Sequence, residues 1–351
     1  MQQFETEIYL RYKQIIESQK AWSSSCHAAI QVSELAEVPG SASPFSRGNV
    51  RPRSVTLPEI IDRYDAFCFD GYGTLYNRGS FVYPGAMEWF QSLRRAGKQL
   101  RLITNAASDV DEVLARDADK RGFDFSTEET ISSGSLLRDL VEQLRSGTAN
   151  AIAGGTAPLC GITAKPLEVR EVYYIGRETG KHVLEACGIT AVAMDAEPAE
   201  PIVAISSAKD TPETYAQAVK ILQKPGAILL VLNSDAWAPK IPDENGVTVR
   251  EPVSGALSER LRRDSACEAN GGEGCVTYYL GKPFPQIWEK VKRSLPAGSR
   301  VLMIGDTLGT DVFGARVAGF DSALVVGRNV PADELEADEA ALGIRPDWYL
   351  V

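Results

Sequence analysis

An apolar run, Phe67-Cys68-Phe69, delivers a single carboxylate, Asp70, onto a glycine-punctuated turn, Gly71-Tyr72-Gly73-Thr74. A carboxylate displayed in this way can act as a nucleophile that is covalently modified and then released by water. Three later segments also end apolar runs on reactive groups. Leu102-Ile103-Thr104-Asn105 ends on a hydroxyl and an amide, and Leu280-Gly281-Lys282-Pro283 places a lysine just past its run. Val301-Leu302-Met303-Ile304-Gly305-Asp306-Thr307-Leu308-Gly309-Thr310-Asp311 opens into a loop with two acids. Each segment alone has an ordinary reading. Asp beside Gly after a hydrophobic run is also a strand-to-turn transition, and either later acid could cap a helix.

The elements that would position these groups are legible as a pattern. Strand at 66–70, helix at about 85–96, strand at 99–104 and helix at about 109–121 alternate, which predicts an α/β fold with a parallel sheet covered by helices. In such sheets reactive groups gather at the carboxyl ends of the strands. Asp70, Thr104, Lys282 and Asp306 each fall where a predicted strand ends, so one shared site is expected. A second α/β unit follows. Val172-Tyr173-Tyr174-Ile175, Ile202-Val203-Ala204-Ile205 and Ala227–Leu232 read as strands, with helices over 211–223 and 255–263. Residues 3–22 carry Phe4, Ile8, Ile15 and Ile16 at helical spacing, which predicts an amphipathic helix packed on its own domain. Gly40–Pro52 reads as a linker, and 147–168 as an irregular excursion.

Four such segments in this order resemble the motifs of the haloacid dehalogenase (HAD) superfamily. Tyr83-Pro84-Gly85-Ala86, Thr104-Asn105-Ala106-Ala107-Ser108, Gly281-Lys282-Pro283, and Gly305-Asp306 followed by Thr310-Asp311 and Gly314-Ala315 look like its class IIA branch, which includes NagD-like and nitrophenyl phosphatases. The resemblance runs from about Leu57 to the C-terminus. It implies a Rossmann-like core, a parallel sheet sandwiched by helices, with an inserted α/β cap domain of the C2 type. The expected domains are 1–55 (N-terminal helix and linker), 56–150 (core, first part), 151–275 (cap) and 276–351 (core, second part), with the chain returning to the core near Val276.

The chemistry that the resemblance implies is a Mg²⁺-dependent phosphatase acting on a small phosphorylated metabolite through an aspartyl-phosphate. Attack by Asp70 on a phosphate dianion is opposed by its own charge and by Asp306 and Asp311. At an effective dielectric of about 20, each like-charge pair about 4 Å apart costs on the order of 4 kcal/mol. A divalent cation must offset this, and hard carboxylate oxygens suit Mg²⁺. The implied ligands are Asp70, Asp306 and the Tyr72 backbone carbonyl, with Asp311 in support. Lys282 would neutralise nucleophile and phosphoryl group, Thr104 would donate to a phosphoryl oxygen, and Asn105 would orient the loop or substrate. Substrate contacts are expected from Asn233 and Asp235, a polar cluster past a cap strand that reads equally as a capped turn.

Tyr72 departs from the phosphatase pattern, which carries a second Asp there to protonate the leaving oxygen and then activate water. That task is worth roughly 10²–10⁴ in rate, or about 3–5 kcal/mol, and a phenol of pKa about 10 is poorly matched to it. A slow phosphatase, or one restricted to good leaving groups such as aryl or acyl phosphates, is expected unless a cap residue replaces the acid. Asp-x-Tyr-Gly-Thr also resembles the 2-haloacid dehalogenases themselves. Those enzymes lack the acidic pair at 305–311 and insert their cap after the first motif, where the stretch between Asp70 and Pro84 leaves no room. A phosphate-binding protein that has lost turnover is the third reading.

Composition fits a two-domain enzyme: 351 residues, 44% hydrophobic and 24% charged, enough for two cores. A formal charge of −10 argues against nucleic acid, which needs clustered Lys and Arg. No apolar run reaches the roughly 18 residues of a membrane span, and the polar N-terminus does not read as a signal, so the cytoplasm is expected. The six cysteines are scattered without a metal or redox pair. His27 and His182 are the only histidines, too few for a Ser-His-Asp or histidine-metal site. Gly176–His182 resembles a phosphate-binding loop, but its glycines are one residue too close and His182 replaces the magnesium-holding hydroxyl. A homodimer formed through the cap would fit the class.

Overall fold

The computed structural model describes residues 2–29, 52–149, 152–153, 157–158, 166–268, 272 and 274–351. The stretch read as a linker over Gly40–Pro52 lies almost wholly outside them, as does much of 147–168.

The apolar strands build a parallel sheet in the spatial order Arg53–Val55, Trp348–Leu350, Asp321–Val325, Val301–Gly305, Ala66–Phe69, Gln99–Thr104, Thr130–Ser132. Its central strands are buried throughout, as expected of a sheet covered on both faces. Ala66 and Cys68 point into one apolar cluster with Leu137, Leu140 and Trp288. Phe67 and Phe69 point into the other, with Phe90, Leu93 and Ala118. Helices Ala86–Arg95 and Asp111–Asp119 match the expected spans to within one or two residues.

Ala66–Phe69 lies between Gln99–Thr104 on one side and Val301–Gly305 on the other. From Ala66 the chain thus winds outward in one direction up to residue 132 and in the other after residue 301, where Arg53–Val55 closes the far edge beside Trp348–Leu350. Strand order reverses between Ala66–Phe69 and Val301–Gly305, where an open α/β sheet forms its crevice. Asp70 and Asp306 follow these two strands immediately.

The second sheet runs Ala157–Pro158, Ile152–Ala153, Val276–Tyr279, Ile228–Val231, Ile202–Ile205, Glu171–Ile175, Thr190–Ala191. It is parallel apart from its first two strands. Helices Pro212–Leu222 and Ser254–Asp264 cover it close to their expected positions. One boundary is corrected. Val276–Tyr279 pairs in register with Ile228–Val231, so the chain leaves this sheet after Tyr279 rather than near Val276. An apolar run carries no mark of which sheet it will join. The consequence is that Lys282 follows the end of a strand in the second sheet.

The N-terminal helix extends over Gln2–Ala29 and buries Ile8, Tyr9, Tyr12, Ile15 and Ile16. Its apolar face packs on Leu308, Val312 and Leu342 of the first unit and on Trp237, Leu257 and Tyr279 of the second. The approach is close: a Cβ at Gly309 would lie 2.2 Å from the Tyr9 ring. Within the first unit, one at Gly314 would lie 2.4 Å from Trp288 of helix Pro285–Ser294. These glycines serve packing. Among the described residues no helix is long and apolar enough to cross a membrane.

Candidate active site

Asp70 sits one residue past its strand and still donates its backbone N–H to the Ile304 carbonyl at 2.9 Å. The ladder therefore continues up to the carboxylate and fixes its direction. Lys282 reaches it from the other sheet's connection: its Nζ lies 2.5 Å from Asp70 Oδ1 and 2.8 Å from Asp311 Oδ1, and donates to the Ile103 carbonyl at 3.0 Å. The lysine is 1% exposed. Burial works to lower its pKa, but the carboxylates of Asp311, Asp70 and Asp235 outweigh burial and keep it above the ordinary lysine range. It remains a cation.

Asp70, Asp306 and Asp311 each place a carboxylate oxygen within 4.8 Å of the others', and all three are buried. Burial pushes Asp70 up to about 7, against the pull of Lys282. Burial, followed by the charges of Asp70 and Asp311, drives Asp306 well above the carboxylate range. Asp311 ties the loop together, since its Oδ2 accepts from the backbone N–H groups of Asp306 at 3.1 Å and Thr307 at 3.0 Å. The capping alternative is not realised, since Thr307 occupies the cap of the turn Leu308–Val312 and Asp311 lies inside it; Asp311 organises the loop backbone instead, and Asp306 holds a buried Oδ2 without a hydrogen-bond partner among the described residues. Gly73, at φ +98, brings the nucleophile loop so near that a Cβ there would lie 2.1 Å from that same oxygen. An orphaned buried carboxylate oxygen among like charges fits a small hard cation.

The site opens on a cavity of about 370 Å³ lined by Asp70, Tyr72, Thr104, Asn233, Asp235, Lys282, Asp306 and Asp311, a volume typical of small-ligand sites. The expected residues therefore converge, with one exception. Asn105 is 1% exposed and works behind the cavity wall. Its Oδ1 accepts from the Lys282 backbone N–H at 2.7 Å, and its Nδ2 donates to the Lys282 carbonyl at 2.9 Å and to Asp235 Oδ1 at 2.8 Å. It clamps the lysine loop. Thr104 Oγ1 accepts from the Ala106 N–H at 3.1 Å, which leaves its own proton free to donate. Tyr72 packs edge-on to Tyr76 with centroids 5.1 Å apart. Burial, with a smaller contribution from Asp117, raises its phenol above the ordinary tyrosine range.

Several supporting residues carry no local sequence signal. Arg328 donates to the carbonyls of Gly73, at 3.0 Å, and Thr74, and lies over the Tyr83 ring. Asn329 Nδ2 donates to Thr307 Oγ1 at 2.6 Å. Both follow strand Asp321–Val325, another carboxyl end of the same sheet, and that position was the one available hint. Ser234 donates to the Lys282 carbonyl.

Comparison with known proteins agrees with this geometry. The family model for haloacid dehalogenase-like hydrolases matches residues 67–190, and the HAD-hydrolase-like model matches residues 279–350. Mouse chronophin is 25% identical over 292 residues, covering 82% of this chain and 89% of its own. The 4-nitrophenylphosphatase of Schizosaccharomyces pombe is 24% identical over 311 residues, covering 83% and 93%. Among solved structures, a glycerol phosphate phosphatase from Mycobacterium tuberculosis in complex with magnesium superposes with a TM-score of 0.56 at 24% identity, over 83% of this chain and 76% of that one.

Proposed function

Because the chain belongs to the haloacid dehalogenase-like hydrolases, in the branch of the nitrophenyl and NagD-like phosphatases, we propose that it is a Mg²⁺-dependent phosphatase of small phosphorylated metabolites. The observation that carries this reading is the buried contact of Asp70 with Lys282 beside Asp306 and Asp311. Mg²⁺ held by the carboxylates of Asp70 and Asp306 and the carbonyl of Tyr72, with Asp311 in support, would supply the positive charge that lets a dianionic phosphate approach. A magnesium-bound relative of the same fold supports that choice of ion.

Asp70 attacks phosphorus and becomes an aspartyl phosphate, which water then hydrolyses. Lys282 holds charge against the nucleophile and the phosphoryl group throughout, and Thr104 donates its hydroxyl proton to a phosphoryl oxygen. Tyr72 stands where the branch places its acid. A phenol raised above its ordinary range stays protonated at neutral pH, so it cannot serve as the base of the second step. Turnover by these residues alone favours aryl and acyl phosphates, whose leaving groups depart without a proton. The acidic trio speaks against halide displacement from carbon, which has no use for a cation. Among the described residues Cys68, Cys187 and Cys275 are free thiols, which supports a reducing compartment, the cytoplasm.

The test is release of nitrophenol from para-nitrophenyl phosphate with and without Mg²⁺, with halide release from 2-chloropropionate as the control and Asp70→Asn as the blank. Magnesium-dependent release that the variant abolishes is expected. Halide release without metal would replace the phosphatase reading.

A further inference from the structure

We propose that Asp235 carries the proton in this reaction, standing in from the second α/β unit for the acid that position 72 lacks. This rests on the phosphatase reading above and extends it to esters with poor leaving groups.

The cavity is lined by five aspartates: Asp70, Asp117, Asp235, Asp306 and Asp311. Three form the buried trio around Lys282. Asp117 is paired with Arg121 at 2.8 Å. Asp235 alone among them belongs neither to the trio nor to an ion pair among the described residues. Its Oδ1 accepts from Asn105 Nδ2 at 2.8 Å, while its Oδ2 has no hydrogen-bond partner among the described residues and the side chain borders the cavity. The carboxyl is therefore held by one oxygen and presented by the other.

Its backbone is held from several sides, as a group that must meet a reacting atom requires. Tyr12 Oη donates to the Ser234 carbonyl at 3.0 Å, and Ser234 Oγ donates to the Lys282 carbonyl. The Asp235 N–H donates to Asn233 Oδ1 at 2.8 Å, and its carbonyl accepts from the Gly255 N–H at 2.7 Å. The fit at Gly255 is tight enough that a Cβ would lie 2.5 Å from the Ser234 oxygen and 2.6 Å from the Asp235 oxygen. Through Asn105 the same carboxyl is tied to the backbone of Lys282, whose ammonium touches Asp70. Nucleophile, cation and Asp235 are thus linked in one hydrogen-bonded assembly.

The charged and titratable groups near it are Lys282, Asp70 and Asp311, with the phenols of Tyr9 and Tyr12 behind. Burial raises its pKa to about 6, against the lowering effects of Lys282 and the Asn105 hydrogen bond. A carboxyl in that range can be found protonated and can also take a proton near neutrality. In the first step an Asp70 oxygen bonds to phosphorus, the bond from phosphorus to the ester oxygen breaks, and the Asp235 proton passes to that oxygen. In the second, water bonds to phosphorus through oxygen and gives a proton to the Asp235 carboxylate. The bond from phosphorus to Asp70 breaks and inorganic phosphate leaves.

The experiment compares Mg²⁺-dependent kcat/KM for an alkyl ester, glycerol 3-phosphate, with that for para-nitrophenyl phosphate, in the wild type and in Asp235→Asn. The expected result is a loss on the order of 10²–10⁴-fold for the alkyl ester and a much smaller loss for the aryl ester. Equal losses on both would mark Asp235 as merely structural, and no loss on either would exclude it; both overturn the proposal. Should the variant not fold, the wild type decides: its alkyl-to-aryl ratio should fall as pH rises through the Asp235 pKa, and a flat ratio overturns the proposal. Absence of phosphate release from every ester would instead remove the phosphatase reading itself.

Discussion

Tyr12, on the N-terminal helix, donates its hydroxyl proton to the carbonyl of Ser234 at 3.0 Å, inside the protein and across 222 positions of chain. The helix that carries it also seats Tyr9 on Gly309 in the acidic loop and pairs Arg11 with Glu259 at 3.6 Å. It thereby braces both units at the two loops that converge on Asp70. Tyr12→Phe leaves a buried carbonyl without its donor, and unfolding in urea should show a loss of about 1–3 kcal/mol. Phosphatase turnover should fall with it, because Ser234, positioned through that carbonyl, holds the Lys282 loop with its side-chain hydroxyl.

Glu5, on the same helix, contacts Arg250 at 2.7 Å, yet burial outweighs that partner and raises its pKa to about 7. The folded value lies above the unfolded one. The contribution of Glu5 to stability is therefore fully present below about pH 4 and is lost as pH rises through about 7. Wild-type stability should decline across that window by an amount on the order of 2–3 kcal/mol attributable to this group. Urea unfolding of Glu5→Gln at pH 5 and pH 8 should show the decline reduced by that amount. An identical slope in wild type and variant would place the titration elsewhere.

Asp306 keeps an unpartnered buried oxygen beside two other carboxylates. Asp306→Asn should weaken Mg²⁺ binding by at least on the order of 10-fold, read by calorimetric titration of the metal alone. In the presence of a chelator the same variant should melt higher than the wild type, because it removes the like charge that Asp70 and Asp311 must tolerate. Unchanged magnesium affinity would move the ion away from this loop.

Tyr72 and Asp235 share the cavity, which makes a rescue possible. In the Asp235→Asn background, Tyr72→Asp should return at least about 10-fold of the lost activity on glycerol 3-phosphate, since a carboxyl at position 72 supplies the proton from the other side. In the wild-type background the same substitution should change alkyl-ester turnover little. It should also cost some stability through the lost edge contact with Tyr76. A large gain in the wild type would mean that Asp235 was not supplying the proton.

The sequence alone determined the reactive groups and the kind of element beneath each. Asp70, Thr104 and Asp306 follow apolar runs that became central strands, and Lys282 follows one that became a strand of the second sheet. These assignments were legible because strand pattern, turn glycine and terminal side chain all lie within a few residues of one another. The helices over 86–95, 212–222 and 254–264 were legible for the same reason, as their apolar spacing is local. Tertiary structure decided the rest. It put Val276–Tyr279 beside Ile228–Val231, made Asn105 a clamp on Lys282 rather than a wall of the cavity, and brought Arg328, Asn329 and Tyr12 to loops they adjoin nowhere in the chain. A buried hydrogen bond between distant residues depends on sheet register and helix docking, and those are set by the packing of the whole core rather than by the residues on either side of the bond.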